Sequence, residues 1–283
     1  MTPSSSTSGT TSAAQVAHPR FGGSLMEAMV EARAMTSNLV VVRHGQSAWN
    51  EKNLFTGWVD VDLTALGEAE ARTAGQQMKA AGLVFDVLHT SLLTRAVRTA
   101  HLALEAAGQV YLPVNRTWRL NERHYGALQG KDKLEMVKQF GEKQVQLWRR
   151  SYDVPPPSID ATHEHHPLRD ARYRLLAPDA LPSSECLKDV VARVLPWWHD
   201  TVVPQLRAGL DVLVVAHGNS LRALMKHLEG ISEADIVELN VPTGMPRLYR
   251  FDDQLRLTGP GRYLDEAAAR AGAAAVKAQT GAK

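Results

Sequence analysis

The sequence predicts an α/β fold: a mostly parallel sheet flanked by helices on both faces, within a single domain. Three observations carry the prediction. Strand-like and helix-like patterns alternate from residue 39 to residue 251. The two strongest strand signals, residues 39–42 and Val212–Ala216, are continuous apolar runs, as strands covered on both faces are. Each run leads into the same dipeptide, His44-Gly45 in one case and His217-Gly218 in the other. Ligands of such sheets sit beyond the carboxyl ends of the strands, so both imidazoles are expected at one site.

The elements follow in order. Residues 1–36 are expected to be a disordered or weakly ordered extension. Nine of the first twelve residues are Ser or Thr, and no acid precedes Glu27, so little apolar surface is available to order them. The segment has no signal-peptide core, and Arg20 alone does not make a transit peptide. Residues 24–35 could form a short helix with Leu25, Met26, Met29 and Val30 on one side, and Met35 is a candidate natural start.

The domain is expected over residues 37–264. Its first strand enters the loop Arg43-His44-Gly45. Thr64 caps a helix to Ala81, with Gly82 just past its end. Residues 86–88 read as a short strand, 92–107 as a helix stopped by Gly108, and 110–114 as a strand. Residues 132–150 read as one charged amphipathic helix. Residues 151–183, with Pro155, Pro156 and Pro157, read as a long irregular excursion. A helical pattern over 186–207 contains Pro196 and Pro204, which should break or kink it. After Val212–Ala216 comes a helix to Glu229. Ser232 and Asp235 open a further short helix, and 248–251 is the last strand. Residues 265–283 hold nine alanines in nineteen positions, a marginal helix with little apolar face.

Composition narrows the function. The 283 residues leave room for one large domain or two small ones. Hydrophobic residues are 44% and charged residues 22%, which excludes wholesale disorder, collagen and coiled coil. The longest apolar run is far short of the ~18 residues a membrane span needs, so no membrane partner is expected. The single Cys186 excludes an internal disulfide and fits a reducing compartment, the cytoplasm. A net charge of +2 gives no general field for nucleic acid, so an anion site must be built locally.

Several side chains suit phosphoryl chemistry. A neutral imidazole at His44 can attack phosphorus if its other nitrogen is held by a carbonyl. Gly45 would let a substrate oxygen near the backbone, and Arg43 can fork onto phosphate oxygens. A second, protonated histidine at His217 would stabilise equatorial charge. Gly218, Asn219 and Ser220 open a helix whose N–H groups suit an anion. Arg95 and Arg98 share one helix face, Arg149 and Arg150 sit at a helix end, and Lys133 follows in a loop after Gly130. Glu122 has a role only if a substrate hydroxyl must lose and regain a proton. Taken singly, each histidine also fits a structural strand cap, and each cation a solvated surface charge. His163, Glu164, His165 and His166 read as a solvated loop. Trp148, Trp197 and Trp198 read as core. No phosphate-binding loop of the nucleotide-hydrolase type and no nucleophile elbow occurs in the sequence.

Residues 39–50, with Arg43-His44-Gly45, resemble the opening of the histidine phosphatase superfamily. Residues 55–58, 116–126, 148–157, 216–222 and 242–244 resemble, in the same order, its 2,3-bisphosphoglycerate-dependent phosphoglycerate mutase family. The resemblance implies a phosphoglycerate mutase-like fold and an isomerase of glycolysis and gluconeogenesis. It would interconvert 3-phosphoglycerate and 2-phosphoglycerate through a phosphohistidine, with 2,3-bisphosphoglycerate as priming donor and no metal. By the same resemblance His44 is the nucleophile, Glu122 the proton carrier and His217 the stabiliser of the moving group. Substrate contacts are implied for Arg43, Gly45, Ser47, Asn50, Thr56, Gly57, Arg95, Arg123, His124, Tyr125, Lys133, Arg149, Arg150, Gly218 and Asn219. A homodimer or homotetramer is implied, as is a mobile tail over 265–283 that covers the site. Gln46 and Cys186 depart from the family's usual Glu and Ser. A phosphatase or a bisphosphoglycerate mutase of the same superfamily is the alternative; Ser47, where the latter has Gly, favours the glycolytic enzyme.

Overall fold

A six-stranded sheet organises residues 36–278, the part of the chain that the computed structural model describes. The expectations for residues 1–35 lie outside the described residues. The strands are β1 (Ser37–Arg43), β2 (Val87–Thr90), β3 (Val114–Arg116), β4 (Val212–Ala216), β5 (Arg247–Phe251) and β6 (Arg262–Tyr263), ordered β3-β2-β4-β1-β5-β6. β1, β2, β3 and β4 pair in parallel, while β5 and β6 close one edge antiparallel. The helices are α1 (Ala48–Glu51), α2 (Ala65–Ala80), α3 (Thr94–Ala107), α4 (Lys133–Phe140), α5 (Glu142–Arg150), α6 (Leu187–Trp197), α7 (Val203–Arg207), α8 (Gly218–Glu229) and α9 (Glu266–Lys277).

The continuous apolar strands are explained by their two covered faces. Val40, Val42, Leu213 and Val215 pack on Ala74 and Met78 of α2 and Ala100, Ala103 and Leu104 of α3. Leu39, Val41, Val212 and Val214 pack on Val190, Val194 and Trp197 of α6 and Leu221 and Leu224 of α8. Each such side chain contributes about 1.5–3 kcal/mol on burial. A one-residue slip of β1 would exchange its two faces, so the packing fixes the register Arg43↔Ala216.

Some expectations need correction. Residues 110–113 are not strand: Leu112 N–H bonds the Gln109 carbonyl in a turn, and Val110 and Tyr111 are exposed. The single helix over 132–150 is two helices. Gly141, at φ +83°, ends α4 with its N–H on the Val137 carbonyl and starts α5 in a new direction. Lys133 is therefore the first residue of a helix and not a loop residue. Between α6 and α7 the chain widens into a π-turn over Trp198–Val202. Pro204 falls in the first turn of α7, where a missing N–H costs least, while Pro196 lies inside the last turn of α6, just before the chain widens. The excursion over 151–183 is irregular, with short 3₁₀ turns, but it is not merely solvated. His166, Tyr173, Ile159 and Leu181 are buried, and the Tyr173 ring packs 4.7 Å from that of Trp58. From Ser232 only a 3₁₀ turn forms, Asp235–Glu238, with Asp235 N–H on the Ser232 hydroxyl. Residues 266–277 form α9, capped by Asp265 on Ala268 N–H and anchored by the buried Ala269.

Candidate active site

The ends of β1 and β4 place the two histidines side by side. His44 N–H bonds the Ala216 carbonyl at 2.9 Å, extending the ladder by one residue. The imidazoles of His44 and His217 lie 4.9 Å apart, edge to face. His44 Nδ1 donates to the Gly45 carbonyl at 2.7 Å, and Arg95 Nε donates to His44 Nε2 at 3.3 Å. That pair of contacts fixes the tautomer with the proton on Nδ1 and the lone pair on Nε2, where Arg95 meets it. Burial, then the charges of Arg95 and Arg43, hold the imidazole well below its usual pKa range, so it is neutral at physiological pH.

His217 is completely buried, with Nε2 2.7 Å from the Ser91 hydroxyl. Burial, then Arg95 and His44, hold it well below its usual range too. The expected imidazolium is therefore disfavoured in the free protein, and His217 is a neutral hydrogen-bonding group. Gly45 has a different cause from the one expected. A Cβ there would lie 2.1 Å from the Gly67 carbonyl oxygen, so the glycine admits the start of α2. That helix is capped by Thr64.

Glu122 faces these histidines from a loop between two 3₁₀ turns, Trp118–Leu120 and Gly126–Leu128. Its Oε1 accepts three N–H bonds: Arg123 N at 2.8 Å, Asn219 N at 3.0 Å and Asn219 Nδ2 at 2.9 Å. Burial pushes the carboxyl up, but the Arg123 N–H, Arg43, Asn219 and Arg95 together outweigh it and hold it below its ordinary range. Glu122 is thus an ionised carboxylate, ready to accept a proton. The loop itself is clamped. Trp58 Nε1 and Arg193 Nη2 both donate to the Glu122 carbonyl, at 2.6 and 2.9 Å, and Arg193 Nη1 donates to that of Arg119. Arg193 is paired in turn with the buried Glu185 at 2.6 Å, and Glu185 accepts from His124 N–H.

A cleft opens above His44, Arg95 and Glu122. It is also lined by Arg43, Asn50, Thr56, Gly57, Tyr125, Lys133, Arg149, Arg150, Gly218 and Asn219. Arg95 is tied by its other two nitrogens to the carbonyls of Val59 and Gly57, and Arg43 to that of Val241. Burial and neighbouring cations push Lys133 down to about 7, Arg149 to about 9 and Arg95 to about 10. Such mutual repulsion is relieved by an anion. Arg43 Nε and the Thr56 hydroxyl are buried with no protein acceptor, which an anionic oxygen in the cleft would supply.

Other sequence candidates lie behind the wall. Ser47 is fully buried and caps α1, its hydroxyl and N–H both on Asn50 Oδ1, so it orients Asn50. Arg123 is buried beneath the Tyr125 ring, 4.5 Å away, with Nη2 on the Arg149 carbonyl. His124 turns away from the cleft: its Nδ1 accepts from Gly126 N–H, and burial, the largest cause, pushes it down to about 3. Arg98 pairs with Asp62 and Glu68 at the surface. Sequence reasoning missed Arg222, Phe55, Leu54, Val241 and Val276 in the lining, and the clamp Glu185–Arg193 and Ser91 behind it. Among the described residues, no group of three or more His, Cys, Asp or Glu side chains is arranged to hold a metal ion. Among them no helix is long and apolar enough to cross a membrane.

Neutral His44 Nε2, an ionised carboxylate opposite it and a wall of cations can move a phosphoryl group and a proton together. Comparison with known proteins agrees. Residues 39–175 and 158–256 match the model of the histidine phosphatase superfamily, branch 1. Over 242 residues the chain is 59% identical to a 2,3-bisphosphoglycerate-dependent phosphoglycerate mutase of Clavibacter michiganensis, covering 85% of this chain and 96% of that one. It is 56% identical over 241 residues to phosphoglycerate mutase 1 of Saccharomyces cerevisiae, covering 85% and 98%. The crystal structure of a phosphoglycerate mutase from Bacillus anthracis shares the fold, with a TM-score of 0.58 at 20% identity over 86% and 99% of the two chains.

Proposed function

The chain belongs to the histidine phosphatase superfamily and, within it, to the 2,3-bisphosphoglycerate-dependent phosphoglycerate mutases, and from that premise we propose that it interconverts 3-phosphoglycerate and 2-phosphoglycerate in glycolysis and gluconeogenesis. The observation that carries the reading is the pairing of a neutral His44 Nε2 with an ionised Glu122 across one cationic cleft. Bound 2,3-bisphosphoglycerate supplies the phosphoryl group that primes His44. Phosphorylated His44 then gives that group to the free hydroxyl of a monophosphoglycerate: the N–P bond breaks, an O–P bond forms, and Glu122 takes the hydroxyl proton. In the second half His44 attacks the other phosphorus, and Glu122 returns the proton to the departing oxygen. His217 offers a neutral ring N–H to the moving oxygens, and Arg43 and Arg95 neutralise their charge. Arg149, Arg150 and Lys133 hold the far anionic end of the substrate, and Asn50, Thr56, Gly57, Tyr125, Gly218 and Asn219 complete its cradle.

The cytoplasm is the proposed location, and a homodimer or homotetramer the proposed assembly. Helix α9 is proposed to keep water from phospho-His44: Arg149 Nη2 donates to the Val276 carbonyl, and Val276 lines the cleft. Truncation after Leu264 should then raise the hydrolysed fraction of 2,3-bisphosphoglycerate; unchanged partitioning between transfer and hydrolysis would make the helix an appendage. The function is tested by assaying 3-phosphoglycerate conversion in EDTA, with and without 2,3-bisphosphoglycerate. Conversion that survives EDTA and is stimulated by the bisphosphate is expected. Conversion that needs a divalent metal and ignores the bisphosphate would overturn the reading.

A further inference from the structure

The Asn219 amide has two unlike ends: Nδ2 only donates and Oδ1 only accepts. Nδ2 is spent on Glu122 Oε1 at 2.9 Å and on the Tyr125 hydroxyl at 3.1 Å. Were the amide reversed, Oδ1 would face the carboxylate, acceptor against acceptor. Arg222, one turn further along α8, decides between the two. Its Nη1 donates to Asn219 Oδ1 at 2.8 Å, and its Nη2 is pinned to the Ile236 carbonyl at 2.7 Å. A guanidinium has no acceptor, so it can meet only the oxygen end of the amide. Arg222 is also buried, so its guanidinium itself fills the place beside Asn219 Oδ1.

We propose that Arg222 is a positioning residue that locks the Asn219 amide in the orientation donating to Glu122 and thereby keeps Glu122 a proton acceptor. The proposal deepens the function above and rests on it only for the kinetic part of the test. Burial, then Arg150 and Arg123, push Arg222 down to about 9, still charged at neutral pH. The other groups facing Glu122 are Arg43 at the end of β1, Arg95 on α3 and Tyr125 in its own loop. They stay in place when Arg222 is replaced, so the shift expected on Glu122 is partial.

The test uses the full chain carrying Arg222→Met, with Arg222→Lys as the conservative variant. The Glu122 carboxyl is titrated in the free protein by carbon-13 NMR, and kcat and KM for 3-phosphoglycerate are followed across pH. In Arg222→Met the Glu122 midpoint should rise by about one unit. kcat should fall about tenfold on the acid limb, with KM changed less than about threefold. Arg222→Lys, which keeps a donor, should stay near the parent in both. Asn219→Ala should raise the midpoint as Arg222→Met does, and combining the two should add little. An unmoved midpoint in folded Arg222→Met, or a loss confined to KM, would overturn the proposal and leave Arg222 a substrate contact. Should Arg222→Met fail to fold, Arg222→Leu carries the same measurement. Leucine offers the amide no donor, so a rise is again expected and its absence overturns the idea. The titration needs no turnover: an inactive parent protein would remove the mutase reading while the midpoint still decided this one.

Discussion

The two histidines and the glutamate that face each other across the cleft are placed by different means. His44 and His217 each stand one residue past a strand of the buried parallel pair β1 and β4, and the Arg43↔Ala216 register sets them side by side. Backbone hydrogen bonds and two-sided core packing do the placing. Glu122 sits in an irregular loop and is placed by side chains: Trp58 and Arg193 on its carbonyl, Asn219 on its carboxylate. Those partners lie far along the chain. A group held by a ladder survives changes to its own side chain without structural cost, whereas a group held by a buried ion pair is exposed to single substitutions elsewhere.

The largest expected effect tests the first half of that contrast. His44→Ala should abolish phosphoenzyme formation and mutase activity, because the neighbouring His217 has its Nε2 engaged by Ser91. The ladder uses only backbone at position 44, so the thermal midpoint should barely move. A variant that turns over at more than a few per cent of the parent, or that melts early, would break the comparison. Next comes Glu122→Gln, which preserves shape and loses the proton carrier. Mutase turnover should fall by about 10²-fold or more. Near-parental turnover would make Glu122 only a partner for Arg43 and Arg95.

Arg193→Met tests the second half. It strands the Glu185 carboxylate in the interior, takes the donor from the Arg119 carbonyl and leaves that of Glu122 held by Trp58 alone. Breaking a buried pair in this way typically costs about 3–5 kcal/mol, measurable by denaturant unfolding. Activity should fall as well, although Arg193 lies outside the cleft. Loss of stability with unchanged kcat would show that the clamp supports the fold but not the base.

The smallest effect concerns the substrate's far end. Lys133 is pushed down to about 7, so its charge is present below that pH and lost above it. Sulfate, whose charge is constant across this range, should inhibit several-fold better at about pH 6 than at about pH 8. Lys133→Gln should flatten that dependence. An equally steep dependence in the variant would move the titrating group elsewhere.

Much of the frame was legible because its signals are local. Apolar runs at 39–42 and Val212–Ala216, a Thr64 cap and a Gly108 stop each span a few residues, and the structure builds on them. Misreadings arose where local signals were ambiguous. Val110 and Tyr111 look like strand residues but lie in the turn that α3 needs before β3 begins. The helical pattern over 132–150 hid the one glycine whose positive φ turns the chain.

By itself the sequence determined a mostly parallel sheet, two imidazoles delivered to one end of it and a supply of cations sufficient for an anion. These follow from periodicity and from the direction of parallel strands, which are properties of short segments. Only the tertiary structure decided that both histidines are neutral, because burial among arginines is invisible in composition. It alone decided that His124 and Ser47 support the wall while Arg222 belongs to it, and that a glycine at position 45 makes room for Gly67. The physical reason is the same in each case. Asn219 and Glu122, Arg193 and Glu122, and Ser91 and His217 meet across roughly a hundred residues of chain. A contact of that span leaves no mark on the spacing of residues around either partner.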